Sequence, residues 1–265
     1  MEYLISQARN SVTDLQLDGV SIPDGGTMAL AVGETFAAGW LLQKAGIQYF
    51  GLGQAARGME LLRRALGVWE SGDPDSLAVA HCLNNLAIAA SIRSDYETSE
   101  RYGTRALEIR RRRLGDSLLT ADVLHTLGNT AFWSDDLATA EGHYREALSI
   151  RRAREPGGIA EARTLAVLGN VYWRYGQLGE ARSRVERALA IYRARGADPV
   201  YVGESLVSLG HFAHDQGDYA AAERYRLQAL QILEDASPQA TQIPDTLLGL
   251  GNVSWRRGDY TAAEA

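Results

Sequence analysis

Apolar and polar positions along this chain follow a pattern that returns every 41 residues. Leu165 to Leu189 shows one full turn of it. Leu165, Leu168 and Tyr172 recur at helical spacing, and after a break at Gly176 so do Ala181, Val185, Ala188 and Leu189. Moving forward one period, Leu168-Gly169 becomes Leu209-Gly210 and then Leu250-Gly251; moving back, it becomes Leu127-Gly128, Leu86-Ala87 and Ala45-Gly46. The closing pair Ala188-Leu189 recurs as Ala65-Leu66, Ala106-Leu107, Ala147-Leu148 and Ala229-Leu230. The register runs without an insertion from about residue 35 to the end. A fixed period of this length predicts stacked copies of one supersecondary unit, here two helices and a turn, contacting mainly their neighbours.

The polar positions repeat as well. Between the two apolar stripes stands the column Gly53, Ser94, Asp135, Gly176, Gly217, Gly258. Glycine there can take the left-handed conformation that ends a helix, and Asp tolerates it better than most residues. The next position is Asp95, Asp136, Asp218 or Asp259 in four units, suited to cap the second helix. Ser76 and Ser117 are placed to cap first helices. Gly46, Ala87, Gly128, Gly169, Gly210 and Gly251 lie midway along the first helices, where small residues let a neighbouring helix approach.

The order of apolar residue, Leu-Gly, Tyr, Ala, apolar residue and Ala, carried by Leu165, Leu168-Gly169, Tyr172, Ala181, Val185 and Ala188, resembles the tetratricopeptide repeat. The basic unit of that family is about 34 residues. The longer period, with Val68, Ile109, Ile150, Ile191 and Ile232 closing the second helices, looks like the kinesin-light-chain type. The resemblance implies an all-α fold, a right-handed superhelical solenoid of helix-turn-helix repeats, with first helices lining a concave face. Residues 35–265 then form six units, the last one truncated, and residues 1–34 a non-repeat segment. The first copy is the least regular, with Ala45 where others have Leu and Ala55 where others have Tyr or Leu.

Composition narrows the function. The chain has 27 basic and 33 acidic residues, a net charge of −6, so a nucleic-acid partner, which needs a basic face, is not expected. Lys44 is the only lysine. One cysteine, Cys82, excludes an internal disulfide framework and fits a reducing, cytoplasmic setting. No apolar run approaches the roughly 20 residues of a membrane span, and no secretory signal pattern opens the chain. Arg110 to Arg113, and Arg151, Arg152 and Arg154, fall near the ends of second helices. They read either as an anion patch or as solvated helix ends complementing the dipole, and the acidic balance favours the second.

In the leading segment, Leu4, Ile5, Ala8 and Val12 suit one face of a short helix. Leu15 to Ile22, around Asp18-Gly19, suits a hairpin or an irregular loop. At the other end, Ala265 falls inside the second helix of the sixth unit, so Leu247, Leu250 and Val253 are expected to be half covered.

The candidate site is a face of the first helices. One column there reads Ile47, Ile88, Asn129, Asn170, His211, Asn252; a second reads Phe50, Ser91, Phe132, Trp173, His214, Trp255. A turn nearer the helix starts stand Trp40, His81, Asp122, Arg163, Glu204 and Asp245. Asn amides can pair with the backbone of an extended peptide, and aromatic rings supply contact area at low entropic cost. The same residues also suit a structural role, the amides satisfying backbone groups and the rings packing between helices. His211, His214 and Asp215 have metal-compatible spacing but lack the rest of a shell. His81 and Cys82, sequential on a helix, point apart and do not make a catalytic dyad. No phosphate loop, nucleophile elbow or zinc motif occurs, so no cofactor is expected. The expected function is a non-enzymatic scaffold holding a peptide or partner protein on the concave face. The alternative is the regulatory or sensor region of a larger bacterial multidomain enzyme, such as a CHAT-type protease or kinase, or of a signalling regulator.

Overall fold

The computed structural model describes residues 32–259, which form eleven helices and no strand among the described residues. The expected helix and hairpin of the first 31 residues lie outside them, as does the end of the chain from residue 260. The helices fall into two compact units, divided after Asp136. The first holds α1 (Val32–Gly51), α2 (Ala55–Glu70), α3 (Leu77–Ile92), α4 (Tyr96–Leu114) and α5 (Leu118–Trp133). The second holds α6 (Leu137–Arg154), α7 (Ile159–Arg174), α8 (Leu178–Arg195), α9 (Pro199–Asp215), α10 (Tyr219–Ala236) and α11 (Gln242–Arg256).

Every turn of the repeat forms as its residues predict. Gly53, Ser94, Asp135, Gly176, Gly217 and Gly258 all have φ between 61° and 82°. For Ser94 and Asp135, which carry a Cβ, this left-handed backbone costs about 1–2 kcal/mol. Asp95 and Asp218 then cap their helices, accepting from Thr98 N at 3.2 Å and Ala221 N at 2.9 Å. Ser76 and Ser117 do the same for α3 and α5.

Within each unit, successive helices pack as antiparallel neighbours, and the closing alanines Ala65, Ala106, Ala147, Ala188 and Ala229 are fully buried. In the second unit, Leu165, Leu168, Leu206 and Leu209 are buried, as are Ala181, Val185, Ala222 and Leu233, and together they form its apolar layer. Each such leucine contributes about 1.5–3 kcal/mol by leaving water. The small column is used as expected at Gly169: a Cβ there would lie 2.5 Å from Val185 Cγ2 and 3.0 Å from Ala181 O, so α7 and α8 touch through that position. Val253 is fully buried against Ala213, Ala221 and Ala222, which corrects its expected half coverage; Leu247 is half exposed.

Arg111, Arg112, Arg113, Arg152 and Arg154 are exposed helix ends, as the acidic balance favoured, but one arginine in each run departs from that expectation. Arg110 and Arg151 are buried, and they occupy the same repeat phase. Arg110 donates to Leu119 O at the start of α5. Arg151 donates to Ala160 O at 3.0 Å and to Thr164 Oγ1, at the start of α7. Each adds a second donor to a helix-start carbonyl while its aliphatic stem is buried. Their exposed neighbours are ion-paired, Arg112 with Asp75 at 2.7 Å and Arg113 with Asp73 at 3.0 Å.

Candidate functional site

In the second unit the first helices are α7, α9 and α11, and α9 touches both of the others. Helical phase sorts α7 into two faces. Leu165, Leu168 and Tyr172 turn into the apolar layer, while Arg163, Asn170 and Trp173 stand half-buried on the other side. On α9, Asp198 caps the helix with Pro199 at its first position, and the helix presents His211 and His214 in the same phase. On α11, Asn252 and Trp255 are exposed.

These columns are joined sideways. The Trp173 ring stacks on His211, with centroids 5.6 Å apart and planes 14° from parallel, and it also meets Phe212 at 5.9 Å. Trp173 Nε1–H donates to Asp215 Oδ2 at 2.6 Å. His211 Nε2 lies 3.2 Å from Asp245 Oδ2 on α11. A line of contacts therefore runs Trp173–His211–Asp245 across three successive first helices. Burial, and then the Arg226 cation, push the His211 imidazole below its ordinary value, against Asp245 and Asp215, which pull it up. The lowered value leaves the ring mainly neutral at pH 7, beside the Asp245 carboxylate. His214 Nδ1 lies 3.3 Å from Asp215 Oδ1, and its ring meets Tyr219 edge-on at 5.5 Å. The Arg163 guanidinium sits over Tyr201 on α9 at 6.0 Å, and Tyr201 stacks on Tyr192 at 5.3 Å.

Of the residues singled out from the sequence, the second unit brings together Trp173, His211 and His214, with Asn170 one turn before Trp173. Asn252 and Trp255 lie further along the same helical phase on α11. In the first unit, Asn129 and Phe132 are half-buried on α5, and Phe132 meets Trp133 edge-on at 5.3 Å. The two histidines do not converge with Asp215 on a common point: His211 is turned to Asp245 and His214 to Asp215. Among the described residues, no group of three or more His, Cys, Asp or Glu is arranged to hold a metal ion.

The sequence reading missed Arg226 beneath this face. Arg226 is buried on α10, and its Nη1 donates to Asp245 O at 3.4 Å. It fills the space over Gly249, where a Cβ would fall 1.5 Å from Nη1. Its counterparts one and two periods earlier are Val185 and Tyr144, so a charge in an apolar column was the available signal. Cys82 is buried, its thiol donates to Leu62 O at 3.1 Å, and burial raises its pKa to about 12. A thiol so held is not a nucleophile at neutral pH. No helix among the described residues is long and apolar enough to cross a membrane.

Comparison with known proteins follows the same lines. A family model described as tetratricopeptide repeat matches residues 37–112 and 119–194, and a second with that description matches residues 205–240. The crystal structure of BtubC (BKLC) from P. vanneervenii is similar over 87% of this chain and 90% of its own, with 21% identity and a TM-score of 0.66. A Rap protein complexed with competence and sporulation factor is similar over 99% of this chain and 82% of its own, at 13% identity and a TM-score of 0.70. The putative kinesin light chain of Podosopora anserina, with nearly identical TPR-like repeats, is similar over 77% of this chain and 98% of its own, at 15% identity and a TM-score of 0.61. At such identities the likeness is one of fold. No curated protein matches the chain.

Proposed function

Because the chain belongs to the tetratricopeptide repeat family, with repeats of the kinesin-light-chain kind, we propose that it is a non-enzymatic interaction scaffold that binds a peptide or partner protein on its first-helix face. The observation that carries this reading is the Trp173–His211–Asp245 line. It holds a large aromatic ring in one orientation on a half-open surface, so little side-chain entropy is left to lose on binding. Asn170 and Asn252 flank the line with amides that both donate and accept, suited to an extended backbone. Asn129 and Phe132 offer the same pair of chemistries on α5. Asp215, Asp245 and Glu204 lend the face negative charge, which favours a segment carrying Lys or Arg. Arg163, Trp255 and His214 complete the proposed contact set. The buried thiol of Cys82 is consistent with work in a reducing, cytoplasmic setting.

The test is selection from a randomised twelve-residue peptide display library on the folded protein, followed by titration of the synthesised binders. Trp173→Ala should cost about 2 kcal/mol of binding, and Asn170→Ala about 1–3 kcal/mol, if their contacts are buried in the complex. Both variants should keep the helical circular dichroism signal. Peptides that bind both variants as tightly as the parent would move the site off this face.

A further inference from the structure

On the other side of α7, away from Trp173, a cleft of about 530 Å³ opens between α6 and α8. Its floor is apolar, made by Leu148, Leu165 and Leu168, with Tyr172 at one end. Its rim carries four arginines: Arg145 and Arg152 from α6, Arg184 and Arg187 from α8. The carboxylates that hold them are fewer. Arg152 and Arg187 share a single oxygen of the buried Glu161, at 2.9 and 3.2 Å, while its other oxygen accepts from Gly157 N at 2.7 Å. Arg145 donates to Tyr172 Oη at 2.7 Å and pairs with Glu141 Oε1 at 2.9 Å, and the Tyr172 hydroxyl donates to the same Glu141 oxygen at 2.6 Å. The Arg184 guanidinium lies over the Tyr172 ring at 4.0 Å and pairs with Glu180, which also lines the cleft. The side chains of Arg145, Arg152 and Arg187 are 64%, 43% and 58% exposed, so their forks remain open to an incoming acceptor.

The repeat itself does not require this rim. The floor positions Leu165 and Leu168 recur as Leu206 and Leu209 one period later and as Leu124 and Leu127 one period earlier. The four arginine positions become Glu186, Arg193, Tyr225 and Gln228 one period later, and Thr104, Arg111, His143 and Glu146 one period earlier. Tyr172 becomes Ala213 or Ala131. Leucines at the floor serve the packing of every repeat. Neither neighbouring period gathers four arginines around a tyrosine, and here they stand in a chain whose net charge is −6.

We propose that the α6–α7–α8 cleft is a binding site for a small amphiphilic anion: a phosphate or carboxylate head held by Arg145, Arg152 and Arg187, on an apolar stem lying over Leu148, Leu165 and Leu168. The volume is that of a small-molecule site, several times larger than an inorganic ion needs. Guanidinium forks match either oxyanion through paired N–H donors, and two forks that share one carboxylate leave a local positive surplus. The site is independent of the first-helix face.

Isothermal titration with phenyl phosphate, benzoate, inorganic phosphate and phenol tests it. Phenyl phosphate or benzoate should bind saturably with one site per chain, at least tenfold tighter than inorganic phosphate and phenol; which of the two binds better identifies the head group. Arg145→Gln with Arg187→Gln should weaken that binding at least tenfold, and the corresponding double lysine variant should fall between. Trp173→Ala should leave it unchanged. If the double glutamine variant loses its helical signal, Arg145→Gln alone decides, with a loss of threefold or more expected. Absence of saturable binding at millimolar ligand, or equal affinity in the parent and the arginine variants, would overturn the proposal.

Discussion

The two sides of α7 are built from residues of one helix but hold their polar groups in opposite ways. On the first-helix side, Trp173, His211, Asp245 and Asp215 satisfy one another in pairs, leaving a firm face with its amides outward. On the cleft side, one buried carboxylate, Glu161, serves two arginines and a backbone amide. The first arrangement spreads its contacts over half-exposed groups, so losing one costs little. The second concentrates them on a group that is 1% exposed, so the fold depends on it. Where a polar group sits relative to water decides whether it is a recognition element or a structural one.

That contrast sets an order of effects. Glu161→Ala should be the most damaging, lowering stability by about 2–3 kcal/mol in chemical denaturation. The loss stays below the roughly 3–5 kcal/mol of a fully buried broken pair because both arginines can turn to water. A loss below about 1 kcal/mol would show that the carboxylate is not concentrated support after all.

His211 should contribute next, and only in acid. Its imidazole is held below the ordinary 6.5, chiefly by burial and by Arg226, with Asp245, Asp215 and His214 also facing it. The unfolded chain therefore takes up a proton first as pH falls through about 6.5, and stability drops from there toward the lower folded value. Thermal melts at pH 7.0 and 5.5 should show a larger fall for the parent than for His211→Gln. Glu161 acts in a different window. Burial alone would raise its carboxyl, but the hydrogen bonds from Arg152 and Gly157 and the charges of Arg152 and Arg187 outweigh that and hold it below the ordinary 4.5. Its support is complete above that value and fades only in stronger acid. Equal melting shifts in the parent and His211→Gln between pH 7.0 and 5.5 would remove His211 from the comparison.

The smallest effect is expected at Asp215, whose side chain is 44% exposed. Asp215→Ala removes the acceptor of the Trp173 indole and should cost less than about 1 kcal/mol, with a change in tryptophan emission reporting the freed N–H. A cost comparable to that of Glu161→Ala would erase the distinction between the two faces.

Much of the fold was legible because it rests on local properties. The turn column was readable even at Ser94 and Asp135, where no glycine marks the left-handed residue, because its place in the period marks it. The candidate face was legible as columns, but not the stacking of Trp173 on His211, which joins residues nearly one period apart. Arg110 shows the limit most clearly. Within Arg110 to Arg113 it looks like one more solvated cation, yet it shares a buried phase with Trp69, Arg151, Tyr192 and Leu233. Reading down the period instead of along the run would have found it.

The 41-residue period by itself determined the helix-turn-helix unit, its caps and left-handed turns, and which stripe of each helix is buried, since backbone conformation and helical phase follow from neighbours along the chain. The tertiary structure alone decided which charges work inside: Arg151 on the start of α7, Arg226 in the space Gly249 leaves open, and four arginines drawn around Tyr172 and the buried Glu161. A charged side chain has long reach and a high cost of desolvation, so its role is set by the carbonyls, carboxylates and gaps that other helices bring to it.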